Sequence, residues 1–198
     1  MSDKQVEKHP LQAFFPENAQ WLLLGSFPPK QHRWSMDFFY PNFQNDMWRI
    51  FGLVFFNDKN HFVEIKEKRF RKEQIIDFLN KKRIGMYDMA EEVIRHKDNA
   101  SDKDLEIVSP LDILQVILTL KNLENIVTTG QKATDVLLEQ LAQNNIEVES
   151  PKVGGCSTFY FQDRTMRIYR MPSSSRAYPL SLEKKAAIYA EMFMSSKT

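Results

Sequence analysis

The chain has 198 residues, with 27 basic and 26 acidic side chains, a formal net charge of +1 and 42% hydrophobic residues. These values exclude a globally disordered chain and a histone-like electrostatic binder, although they leave room for a local basic face. The single Cys156 excludes an internal disulfide, a cysteine-based zinc tetrad and an iron–sulfur cluster.

The start, MSDKQVEKHP, is polar, lacks signal-peptide form and reads as a flexible lead of residues 1–10. No apolar run approaches the ~20 residues of a membrane span, so a soluble cytoplasmic protein, with no membrane partner, is expected. Trp21–Gly25 is a continuous apolar run bounded by punctuating residues, which predicts a strand buried on both faces. The following stretch, SFPPKQHRWSMDFFYPNFQNDMW, is unusually aromatic for a connection. Asn45 is placed to cap a helix carrying Trp48, Phe51 and Phe55. Residues 64–82 carry apolar side chains at Ile65, Phe70, Ile75, Ile76 and Leu79 and read as one or two surface helices with a solvated face.

IGMYDM, residues 84–89, is short and β-like. Ser109-Pro110 is expected to open a helix through Leu114, Ile117 and Leu118. Asn125–Thr129 reads as another buried strand, followed by a helix burying Ala133, Val136, Leu137 and Leu141. Two strands, 159–161 and 166–171, flank a QDRT turn, and Ser181 caps a last helix with Leu182, Tyr189, Met192 and Phe193 on its inner face. No internal repeat or low-complexity tract breaks the chain, so one domain over residues 1–198 is expected. Strands alternating with helices predict the α/β class: a three-layer α/β/α sandwich around a short, mostly parallel sheet.

Ligands of such sheets bind beyond the carboxyl ends of the strands. Three unusual segments fall there: SFPP, TTGQ and MPSSSRAYP. In the last, three serines and Arg176 could grip a phosphate through hydroxyls, N–H groups and charge-assisted bonds, or simply make a Ser/Pro turn. Phe27, Trp34, Phe38, Phe39 and Tyr40 could stack on a flat ligand or pack the loop onto the core. Asn42, Gln44 and Asn45 carry amides able to read a base edge, while Asn45 alone also suits a helix cap. Basic clusters at KQHR (30–33) and 164–176 adjoin the two unusual loops and suit phosphate contacts, whereas KEKRFRK (66–72) reads as a solvated face. His9, His32, His61 and His96 show no metal-ligand spacing, and nucleophile-elbow, P-loop and dinucleotide fingerprints are absent.

Taken together and in order, these segments resemble the uracil-DNA glycosylase superfamily. Gly25-Ser26-Phe27-Pro28-Pro29 stands where the family has a strand followed by G-x-(D/N)-P-(Y/G). Tyr40-Pro41-Asn42-Phe43-Gln44-Asn45-Asp46-Met47-Trp48 reproduces the Y-P-x-x-x-N-x-x-W spacing of the thymine- and mismatch-specific branch, and Met171–Arg176 is similar to its M-P-S-S-S closing motif. GQKATDVL and IGMYDMAEEVIR resemble the intervening family segments. The resemblance implies an enzyme of base-excision repair that acts on DNA containing a damaged base. It would flip a deaminated base, uracil or hypoxanthine, into a pocket and hydrolyse its N-glycosidic bond as a monomer without cofactor or metal. It further implies Ser173, Ser174 and Ser175 as a phosphate clamp, Arg176 as the wedge in the base stack, and Lys30 as a further DNA contact.

Phe27 departs from the pattern, because the common branches place a water-activating Asp or Asn there. The hypoxanthine-removing branch also has an apolar residue, in G-S-M-P-G, and takes the Asn of its H-P-x-N-x-F-W segment for that task. By this resemblance Asn45 positions the water with Asp88 as a second, carboxylate candidate, and Gly25, Ser26, Phe27, Pro28, Tyr40 and Asn42 form the base pocket. The alternative is a member of the same fold that binds nucleic acid or a nucleobase with little or no catalysis.

Overall fold

The computed structural model describes residues 5–97 and 102–195. In chain order the strands and helices are β1 (Val6–Lys8), β2 (Trp21–Gly25), α1 (Met47–Phe56), β3 (Val63–Glu64), β4 (Arg69–Phe70), α2 (Lys72–Lys82), β5 (Ile84–Asp88) and β6 (Ala90–Arg95). The remainder are β7 (Leu105–Pro110), α3 (Ile113–Thr119), β8 (Asn125–Thr129), α4 (Gln131–Gln143), β9 (Cys156–Phe161), β10 (Arg164–Met171) and α5 (Leu182–Ser195). Among the described residues no helix is long and apolar enough to cross a membrane.

A five-stranded sheet runs in the order β5-β2-β8-β10-β9. Its first four strands are mutually parallel, and β9 returns antiparallel along β10. The β9–β10 turn places Gln162 and Asp163 at φ 50° and 60°, the doubly left-handed geometry that matches strand twist in a tight hairpin. Every residue of β2, β5 and β8 is buried, as the unbroken apolar runs require. The crossover from β2 to β5 steps one way along the sheet and that from β8 to β10 steps the other. With right-handed crossovers the two connections lie on opposite faces, giving the expected α/β sandwich. The order reverses between β2 and β8, so the loops after these strands diverge and open a crevice.

The helices pack through aromatic side chains. Phe51 of α1 meets Phe78 of α2 and Phe193 of α5 at ring separations of 6.0 and 5.9 Å, and Phe193 reaches Trp21 of β2 at 4.8 Å. α3 and α4 are tied by Gln140, which accepts from Ile113 N–H and donates to the Leu111 carbonyl. Ser181 caps α5 as its sequence predicts, accepting from Lys184 N–H at 3.3 Å.

Three expectations are corrected. Of the flexible lead expected over residues 1–10, residues 1–4 lie outside the described residues, and Val6–Lys8 is a strand that pairs with β6 in an antiparallel sheet of order β1-β6-β7. The polar Glu7 and Lys8 conceal this in the sequence, since edge-strand pairing comes from the backbone. The region expected as helix from residue 64 begins instead with the β3–β4 hairpin, and only Lys72–Lys82 is helical. Ser109-Pro110 ends strand β7 rather than opening a helix; α3 starts at Ile113, where Asp112 accepts from Gln115 N–H at 3.0 Å.

Candidate functional site

A cavity of about 1530 Å³ opens at the carboxyl ends of β2, β5, β8 and β10. Gly25 ends β2, Asp88 ends β5, Thr129 ends β8, and Ser173–Ser175 follow β10, so four strand ends deliver their loops to one place. The lining includes Gly25, Ser26, Phe27, Pro28, Tyr40 and Asn42, all expected in the base pocket, together with Asn45 and Asp88. Ser173, Ser174, Ser175 and Arg176 also line it. Lys30 is apart from this set: it precedes the short turn Gln31–Arg33 and does not line the cavity.

Asp88 is buried beneath the pocket, and its Oδ2 accepts from His9 Nε2 at 2.8 Å. His9 is almost wholly enclosed, with 2% side-chain exposure, and its Nδ1 lies within hydrogen-bond distance of both Leu11 N–H and the Leu11 carbonyl. The ring is thereby fixed at both nitrogens, which fixes the carboxylate it faces. Nothing in the sequence links His9 to Asp88, 79 positions later; the pairing of the edge strand β1 with β6 delivers His9 to this spot. His9 also packs edge-on to Phe27 at 5.2 Å and against Tyr87 at 4.5 Å.

Gly25 stands in register with Asp88 across the β2–β5 pair. A Cβ there would lie 2.3 Å from Asp88 Oδ1 and 3.5 Å from the Tyr40 hydroxyl, so only glycine lets the strand pass beneath these groups. Tyr40, held at φ 52°, shares a 2.6 Å hydrogen bond with Thr129 Oγ1. Burial, reinforced by the nearby Asp88 charge, keeps its phenol protonated far above the ordinary tyrosine range. Ser26 Oγ donates to Asp102 Oδ1 at 2.5 Å, bringing a second carboxyl to the cavity that sequence reading did not single out.

Most aromatic side chains of the long loop serve packing. Trp48 and Phe39 are buried, with Trp48 Nε1 donating to the Phe39 carbonyl at 3.0 Å, and Trp34 Nε1 donates to the Pro29 carbonyl. Asn42 Oδ1 accepts from Gln44 N–H, making a local turn. Asn45 does serve the helix start, with Oδ1 accepting from Met47 N–H at 2.9 Å, and it lines the cavity at the same time. Its two expected roles are compatible, because an amide oxygen keeps a second lone pair and the NH2 remains available.

The loops before α1 and after β10 are joined by a buried charge cluster centred on Asp46. Lys185 Nζ donates to Asp46 Oδ2 at 3.2 Å and to the Ser175 carbonyl at 2.7 Å, and Arg176 Nε donates to Asp46 Oδ1 at 3.1 Å. Asp46 N–H itself donates to the Ser174 carbonyl. Arg176 is thus tied back toward α1 rather than projecting as a wedge would. Within the serine run, Ser175 N–H donates to Ser173 Oγ and Ala177 N–H to Ser175 Oγ, so part of the expected anion nest is already satisfied internally. Among the described residues no three His, Cys, Asp or Glu side chains gather as a metal site.

No family model matches the chain, and no curated protein matches it in sequence. Among solved structures, the solution NMR structure of a "putative Uracil DNA glycosylase" from Methanosarcina acetivorans matches 96% of this chain and 99% of that one, with a TM-score of 0.59 and 19% sequence identity. At that identity the likeness is one of architecture: this chain shares its fold with that protein.

Proposed function

We propose that the chain is a DNA glycosylase that hydrolyses the N-glycosidic bond of a flipped-out deaminated base. The observation that carries this reading is a buried carboxylate, Asp88, held by His9 at the floor of a cavity built from four strand ends, with aromatic and amide side chains around it. A flipped base needs flat apolar walls and edge-reading amides, and Phe27, Tyr40 and Asn42 are of those types. Cleavage of the bond develops positive charge on the sugar, which a fixed buried carboxylate stabilises without reorganisation. In this reading Asp88 faces that charge and Asn45 orients the attacking water. Ser173, Ser175 and Arg176 hold the flanking phosphates, the polar counterpart of the pocket. The fold shared with the Methanosarcina protein supports the same reading.

The test is single-turnover cleavage of duplex oligonucleotides carrying one deoxyuridine or one deoxyinosine, read as alkali-labile abasic sites. Wild type is expected to cleave at least one of them, and Asp88→Asn and Asn45→Ala to lose about 100-fold or more, the range of a lost electrostatic or water-orienting group. Binding of lesion DNA by the wild type without abasic product would refute the enzyme reading in favour of a binding protein. Equal rates in wild type and both variants would sink the residue assignment.

A further inference from the structure

The amino-terminal strand is fastened to the pocket loop as well as to its sheet. β1 pairs with β6 through Val6–Lys8, and the pairing runs on by one residue, since His9 N–H donates to the Glu91 carbonyl at 2.7 Å. Glu7 accepts from Arg95, whose side chain is 3% exposed. Arg95 in turn donates to the Pro28 carbonyl at 3.0 Å, and its guanidinium lies 5.8 Å from the centre of the Phe27 ring. His9 thus enters the pocket floor from a strand held by the loop that follows β2.

The His9 ring makes the two oxygens of Asp88 unlike. Oδ2 accepts from Nε2 at 2.8 Å. Oδ1 lies over Gly25, 2.3 Å from where a Cβ would stand, and among the described residues it accepts no hydrogen bond. A carboxylate is an acceptor only, so Nε2 carries the hydrogen of their bond and has no room for another proton. Nδ1 is turned to Leu11, whose N–H and carbonyl lie at 3.1 and 2.9 Å, so it does not face Asp88.

We infer that His9 is a positioning residue for the reaction: it commits Oδ2 of Asp88 and leaves Oδ1 as the oxygen that meets the ligand, without itself taking up or giving a proton. This rests on the glycosylase reading. The amino-terminal strand is then part of the working site, although neither Val6–Lys8 nor His9 lines the cavity.

The experiment compares single-turnover cleavage by His9→Leu and His9→Gln on the deoxyuridine or deoxyinosine duplex that the wild type cleaves. Leu fills the space without a donor, whereas the Gln amide N–H can stand where Nε2–H does. His9→Leu should be slowed about 10- to 100-fold, the worth of a hydrogen bond to a charged group, with binding of the duplex unchanged. His9→Gln should recover most of that loss. Added to Asp88→Asn, His9→Leu should cost nothing further, because it acts through that carboxylate. A wild-type rate in His9→Leu, equal losses in the Leu and Gln variants, a loss in binding alone, or losses that multiply would each overturn the assignment. The pH profile of His9→Gln should keep every limb of the wild-type profile; a limb that disappears would mean that a proton moves at His9, and overturns it too. If the variants fail to fold, the wild-type ring decides. Its long-range proton–nitrogen correlation spectrum should show hydrogen on Nε2, and a bare Nε2 overturns the proposal. A wild type that cleaves neither duplex defeats the glycosylase reading itself, and the spectrum, read without cleavage, separates that failure from this one.

Discussion

Replacing Lys185 by Met should destabilise the protein by about 3 kcal/mol or more, through a mechanism that the surrounding contacts make explicit. The Lys185 side chain is wholly inaccessible and the Asp46 side chain is 8% exposed, so water cannot replace either partner. Met fills the same volume but leaves Asp46 with Arg176 alone, whose side chain is half exposed. It also strips the Ser175 carbonyl of its donor. Breaking a buried ion pair from one side costs about 3–5 kcal/mol, and a carbonyl left without a partner about 1 kcal/mol more. Arg176 offsets part of this, which brings the expectation to the lower end. For a chain of this length the loss corresponds to a fall in Tm of about 6–12 °C. Urea unfolding of Lys185→Met, Asp46→Asn and the double variant measures it. The double variant should be milder than the sum of the singles by about 2 kcal/mol, since the second change removes the group that the first left unpaired. A loss under about 1 kcal/mol, or strict additivity, would refute the view of Asp46 and Lys185 as a buried, mutually dependent pair.

Two further outcomes follow from the pocket floor. Gly25→Ala places a Cβ 2.3 Å from Asp88 Oδ1 and must displace the carboxylate, so under the proposed glycosylase function abasic-site formation should drop about 100-fold, as misplacement near 1 Å does; wild-type turnover would refute the close approach. Stability should also decline in alkali: burial holds the phenols of Tyr40 and Tyr189 protonated and pushes Tyr87 up to about 12. Since the unfolded chain releases these protons near pH 10, the stabilisation is complete below about pH 10 and is lost as pH rises through the folded values. A urea midpoint that stays level from about pH 9 to pH 11 would contradict it.

How much of this was legible in the residues varies with the physics behind each element. Trp21–Gly25 and Asn125–Thr129 announced themselves because a strand buried on both faces has to be apolar throughout. The assembly of Gly25, Tyr40, Asn45 and the serine run around one cavity followed from strand ends in a parallel sheet, and the structure brings them together. β1 was hidden because an edge strand is specified by backbone pairing, and VEK has the same composition as a solvated lead. Ser109-Pro110 misled because Pro at a helix start and Pro ending a strand use the same φ. The Asp46 cluster and the His9–Asp88 contact were beyond sequence reading, for their partners stand 139 and 79 positions apart. A charged residue in a polar-looking stretch gives no sign that it will be enclosed.

The Asp46–Lys185 link also sets a timetable. Asp46 is synthesised early, at the entrance to α1, but its buried partner comes 139 residues later, on the last helix. The same helix supports the serine loop through Tyr189, whose hydroxyl donates to the Pro172 carbonyl at 3.0 Å. Contacts of such sequence separation form late, after closure of a long loop has been offset by other packing. On the ribosome, β2, β5 and β8 can therefore pair while the two loops remain unlinked. The loops before α1 and after β10 cannot be held together through Lys185 until α5 has emerged and docked. The joining of the two loops thus arrives in one step, with α5, rather than growing with the length of chain made.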